Sequence, residues 1–286
     1  MGSKTISLGL SLGTHPLVGI GVLPLLDLLK EQDAIQLKKI VGSGQGALSS
    51  ALVARNDSPE RIKEVLITFY RESFYEKFNF NIATAMFQVG PQTYHPSQSL
   101  FSGDRKRIFF AELFGKEKIE EQKIPLKLVA TDLYTAEPIL IDSGYVAEGV
   151  YGASAWFPFH PPIRYKGRLL VSGGFSDSIP TINDPSLDLE IVVTIVDPDT
   201  WKSSFQMTHG WAFFERAFQS LESPHKTMIR HKEGRNIIPL TVTLDRPIPY
   251  EAISEKDINY VLSKSEEVIQ NTISSQLKKN ITSKDK

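Results

Sequence analysis

The sequence predicts an α/β fold with a mostly parallel central sheet, and three observations predict it. Residues 35–41 read as a strand, Gly42-Ser43-Gly44-Gln45-Gly46 follows at once, and residues 47–55 have the composition of a helix; this strand, glycine turn and helix is the unit from which parallel sheets are built. Short β-rich runs bounded by turn chemistry recur at residues 125–130, 138–141, 168–171, 191–196 and 238–244, with helical segments between them. Residues 255–279 carry Ile258, Val261, Leu262, Val268, Ile269, Ile273 and Leu277 at helical spacing, an amphipathic helix that can cover a sheet.

The remaining elements fall between these. Residues 6–10 predict a first buried strand, Gly13-Thr14-His15-Pro16 a loop and residues 17–30 a helix rich in Leu and Val. Ser58 followed by Pro59 is a helix-start signal, and Ile62, Val65, Leu66 and Phe69 extend that helix to about residue 75. Residues 78–102 show little periodicity and read as an excursion over the site; 105–114 and 207–230 read as helices. Phe205, Trp211, Phe213, Phe214 and Phe218, with Met207 and Ala212, read as core packing, with a membrane-interface or acyl-chain wall as the alternative. The expected organisation is one α/β domain over residues 1–245 and a C-terminal helical extension over 246–286, packed on the same domain.

Composition closes several function classes. Lys plus Arg number 32 against 33 Asp plus Glu, without a block of like charge, so no nucleic-acid footprint is present. The absence of cysteine removes disulfides, thiol nucleophiles and cysteine-based metal sites. The six histidines, His15, His95, His160, His209, His225 and His231, form no i, i+4 pair or carboxylate cluster, so neither a metal site nor another cofactor is expected. Residues 5–26 lack charge, but their glycines and prolines fit a strand, a loop and a helix better than a signal peptide or a membrane span. A cytoplasmic or a peripheral membrane location stays open, as does the oligomeric state.

A glycine-flanked bend between strand and helix is how a G-x-S-x-G nucleophile is presented, its helix N-terminus favouring negative charge. Here the frame runs from Gly42 to Gly46, and its middle residue is Gly44, which has no attacking atom. Ser43 is the alternative nucleophile, but its frame places Val41 and Gln45 where flanking glycines belong. A phosphate cradle is a weaker reading, because the lysine and hydroxyl that follow a P-loop and the spacing of a dinucleotide fold are missing.

Several segments recur in one order: Leu8-Gly9-Leu10-Ser11 leading to Gly19-Ile20-Gly21-Val22-Leu23; Gly42 through Leu48; Ala130-Thr131-Asp132-Leu133; Ala153 through Pro158 with Pro161-Pro162; and Ser172-Gly173-Gly174-Phe175-Ser176-Asp177-Ser178-Ile179-Pro180. Together they make residues 6–181 resemble the patatin-like phospholipases. The resemblance implies a three-layer α/β/α sandwich of the acyl-hydrolase type. It further implies a Ser-Asp dyad, with serine at the elbow and aspartate opening an Asp-Gly-Gly motif, and a glycine-rich oxyanion loop.

Carried onto this chain, the nucleophile position is Gly44 and the aspartate position is Ser172, a hydroxyl far too weakly basic to replace a carboxylate. The oxyanion loop corresponds to Gly13, Thr14 and His15, where one residue is missing and Pro16 removes a backbone N–H. A serine-to-glycine change would explain Gly44 alone; degeneration of the whole site explains all three. Asp177 as a relocated base is weighed against a turn aspartate, and the turn is favoured. His15 is expected to face solvent, with hydrogen bonding to a ligand as its functional alternative. The expected function is that of a catalytically impaired relative that binds a lipid or fatty-acyl ligand. An active esterase using Ser43 and a protein-interaction module with a vestigial pocket are the alternatives.

Overall fold

The computed structural model describes residues 5–72, 78–86, 95, 99–182, 184–197, 236–246, 248 and 253–284, with the side chains of the last helix described to residue 273. The predicted helix over 207–230, the aromatic residues Phe205 to Phe218, His209, His225, His231 and parts of the 78–102 excursion lie outside them.

Strands β1 (Ile6–Leu12), β2 (Ile35–Ser43), β3 (Leu126–Asp132), β4 (Pro138–Ile141), β5 (Ile163–Tyr165), β6 (Arg168–Ser172), β7 (Leu189–Val196) and β8 (Ile237–Thr243) form one sheet in the order β5-β6-β3-β2-β1-β7-β8, with β4 also paired to β3. The centre is parallel: β1 pairs with β2 and β7, β2 with β3, and β7 with β8. One edge is antiparallel, through the β3–β4, β3–β6 and β5–β6 pairs. The predicted α/β sheet is thus observed, mostly parallel and with an antiparallel flank.

Alternation along the central strands separates two faces. Leu8, Leu10, Leu12, Leu128, Ala130, Ile191, Val193 and Ile195 join the main apolar core. Helices α1 (Val18–Gly21), α3 (Gly46–Arg55) and α7 (Val146–Ala153) pack on the sheet there, and the terminal helix, here α8 (Glu255–Lys284), packs on β8, α1 and α2 (Leu23–Lys30). The opposite face carries polar residues, including buried Ser11, Ser43, Thr194 and Glu190. Ser11 Oγ and the Ile182 amide both donate to Glu190 Oε1, each at 2.7 Å, so this buried carboxylate knits β1, β7 and the chain before β7 together.

The helix predicted over 17–30 is broken in two. Pro24 has no N–H to offer the carbonyl four residues earlier, so α1 stops at Gly21 and α2 restarts at Leu23. Helix α4 (Pro59–Arg71) begins as expected, Ser58 Oγ accepting from the Arg61 amide at 3.2 Å. Two further helices, α5 (Phe80–Met86) and α6 (Asp104–Phe114), belong to the excursion and the segment after it.

Candidate functional site

The elbow sits where β2 ends. Gly42 pairs with Leu12 of β1 on one side and Leu128 of β3 on the other, Ser43 pairs with Val129, and the next β3 residue, Ala130, pairs with Ser172. Register therefore brings the apex, the loop of residues 13–15 and the Ser172 motif to one end of the sheet. At the apex Gly44 has φ +55, the left-handed conformation of a strained elbow, and α3 starts two residues later. Gly46 lets that helix touch the loop: a Cβ there would strike the carbonyl oxygens of Gly13 and Leu12.

The space beside the apex is filled. A Cβ on Gly44 would lie 2.8 Å from both Cβ and Cγ2 of Thr14, and 3.0 Å from its Cα. Thr14 thus occupies, from the oxyanion loop, the volume that an apex side chain would need.

The loop's donors are engaged as well. The Gly13 amide donates to the Val193 carbonyl at 3.0 Å and the Thr14 amide to the Ser178 carbonyl at 3.1 Å. The amide after the apex, that of Gln45, points at the Thr14 carbonyl at 3.4 Å. An oxyanion hole needs such N–H groups aimed at the developing charge, and removing one donor costs about 10²- to 10³-fold in rate. Here three candidates are turned to protein carbonyls.

Around the loop a frame keeps it closed. The Tyr70 hydroxyl of α4 donates to the Pro16 carbonyl at 2.6 Å, and burial holds that phenol well above the usual tyrosine range. The expectation of a solvent-facing His15 is corrected: the residue is 8% exposed, because it folds back on its own turn. Its Nδ1 accepts from the Leu17 amide at 3.1 Å, which leaves the proton of a neutral ring on Nε2, 3.6 Å from Asp197 Oδ1.

Ser43 is 0% exposed, and its hydroxyl donates to the Asp177 carbonyl at 2.7 Å. It lies against the Gly173 backbone, where a Cβ would come within 2.6 Å of Ser43 Oγ. Ser172 caps a single turn formed by Gly173, Gly174 and Phe175, its Oγ accepting from the Gly174 amide at 3.3 Å. Its backbone is pinned too, with N–H to the Ala155 carbonyl and C=O from Thr131 Oγ1. Asp177 closes the turn through its amide to the Gly173 carbonyl at 2.8 Å. Asp132 ends β3 as a turn aspartate, accepting from the Tyr134 amide and pairing with Arg168 at 2.8 Å. Among the described residues no group of three or more His, Asp or Glu is placed to hold a metal ion.

The glycine frame at the end of β2 and the Ser172-Gly173-Gly174 segment read from the sequence lie at the same end of the sheet. Tyr70 and Val193 carry no local signal for the site, because each supplies or receives a single hydrogen bond from a distant element, and although Ser178 belongs to the motif, its carbonyl's bond to the Thr14 amide does not show in the sequence.

The patatin-like phospholipase family model matches residues 13–183, more than half of the chain. This chain belongs to the patatin-like phospholipase family. Relatives include lysophospholipase nte1 of Neurospora crassa, 24% identical over 225 residues that make up 76% of this chain and 14% of that protein. Lysophospholipase NTE1 of Pyricularia oryzae is 24% identical over 234 residues, 80% of this chain and 15% of its own length. The chain therefore spans about a seventh of these fungal proteins. In fold it is similar to VipD from Legionella pneumophila, with a TM-score of 0.52 and 14% identity over 95% of this chain and 67% of VipD. Family membership relates the chain to lipid acyl hydrolases, and among its described residues no helix is long and apolar enough to cross a membrane.

Proposed function

We propose that this patatin-family chain has lost hydrolysis and serves as a pseudoenzyme that binds a lipid or fatty-acyl ligand. One observation carries the loss: the apex residue is Gly44, and Thr14 fills the space any apex side chain would need. Ser172 in place of the aspartate, and the three engaged amides, support the same reading. Even an otherwise intact hydrolase site without its nucleophile keeps only about 10³- to 10⁴-fold catalysis over water, and that remainder comes from the oxyanion hole and binding. Binding is the part of the family's chemistry that does not need the dyad, and the relatives named lysophospholipases make an acyl lipid the ligand class of choice.

An esterase using Ser43 is the competing reading. Its hydroxyl is buried and already donates to a main-chain carbonyl, so attack would require both exposure and loss of that bond. The same proposal takes residues 1–245 as the lipid-binding α/β domain and 246–286 as its helical extension.

The test is turnover against binding. The purified chain is expected to retain lysophosphatidylcholine or a long-chain fatty acid in native mass spectra while hydrolysing p-nitrophenyl acyl esters no faster than buffer. Saturable hydrolysis contradicts the loss of activity; absence of any bound lipid contradicts the ligand and favours an interaction module.

A further inference from the structure

Away from the elbow, α2, α4 and α8 enclose a groove of about 500 Å³. Its floor is apolar, made by Leu28 of α2, Pro59 of α4 and Leu262 and Ile269 of α8. Its wall carries four carboxylates, Asp27, Glu31, Glu60 and Glu266, against a single lysine, Lys63. Lys30 reaches Glu60 at 3.7 Å, an exposed pair of small energetic weight. Partial desolvation of this surface residue first, then Glu60 and Glu31, hold the Asp27 carboxyl above its usual range against the pull of Lys30. The negative charge is therefore incompletely compensated in a chain whose net charge is only -1.

An apolar floor under an acidic wall fits a lysine side chain, whose methylene stem lies on the floor while its ammonium meets the carboxylates. The sequence holds such a segment. The last turns of α8 carry Lys278, Lys279 and Lys284 and no acid between residues 268 and 284. Along α8, one continuous helix, at 1.5 Å per residue Lys278 lies about 12 Å and Lys284 about 21 Å beyond Gln270 on the groove's wall, so this basic end leads away from the groove of its own chain.

We propose that the groove receives the lysine-rich end of α8 from a second copy of this chain, in a reciprocal, salt-sensitive dimer. Each copy supplies one groove and one basic helix end, so a two-fold axis closes the assembly with two equivalent contacts. The inference is independent of the chemistry at the elbow.

Sedimentation velocity over a concentration series at low and high salt provides the test. The wild-type chain is expected to dimerise at low salt and to weaken as salt screens the contact. Reversing the groove in Asp27→Lys/Glu266→Lys, or the helix end in Lys278→Glu/Lys279→Glu, is expected to weaken self-association by roughly tenfold or more. Mixing the two variants restores both contacts, because the basic groove of one now meets the acidic end of the other. That rescue also guards against misfolding of either variant. A chain that stays monomeric throughout, or a dimer indifferent to both reversals, overturns the proposal.

Discussion

Thr14 and Gly44 face each other across the elbow so closely that a Cβ added to Gly44 would meet Thr14 Cβ and Cγ2 at 2.8 Å. A serine placed at the apex would consequently strain the elbow. Gly44→Ser is expected to cost about 1–2 kcal/mol for a side chain in the left-handed region and about 1–3 kcal/mol for overpacking. Adding Thr14→Gly recovers the second part. Thermal unfolding of the single and double variants checks both, and neither is expected to hydrolyse esters.

Ser43 holds the Asp177 carbonyl, so its role is predicted to be structural. Ser43→Ala leaves that carbonyl without this donor and is expected to lower stability by about 1–3 kcal/mol. Ligand binding measured by native mass spectrometry should persist in the folded fraction.

Tyr70 ties α4 to the loop through the Pro16 carbonyl. Tyr70→Phe is expected to cost about 0.5–1.5 kcal/mol and to speed hydrogen exchange at the Gly13 and Thr14 amides relative to those of central β3. Unchanged protection at both amides would remove Tyr70 from the frame that closes the loop.

Asp27 gives a prediction in pH. Its carboxyl, on an exposed residue, is held above its usual value first by partial desolvation and then by Glu60 and Glu31, against Lys30, so the ionised form is disfavoured in the fold. The resulting loss of stability is fully present above the folded pKa and disappears as the pH falls below the unfolded value near 3.9. Asp27→Asn should therefore raise the melting temperature at neutral pH and have little effect in acid. A gain that persisted below the carboxylate range would point to a cause other than ionisation.

Much of this was legible in residue patterns. The elbow, the strand that feeds it and α8 follow from glycine placement and apolar spacing, signals that act within a dozen residues. Helix α7 escaped because Gly149 and Gly152 weaken its pattern; they are there for close approach, Gly149 facing Ile119 and Leu128 and Gly152 facing Ile163. Strand β5 is three residues long, too short for an alternation to register. Gly44 and Ser172 stand out in the sequence, but the closed loop does not. Its bonds join residue 13 to 193, 14 to 178 and 16 to 70, separations across which no local rule reaches. The burial of His15 depends on the same closure.

Intact-mass measurement after exposure to a fluorophosphonate tests the central claim most directly, since the reagent needs a reactive serine but no knowledge of the substrate. The account predicts an unmodified mass for the wild-type chain, with Ser43 unreactive where it lies under the elbow. A stoichiometric adduct that maps to Ser43 and vanishes in Ser43→Ala would contradict it.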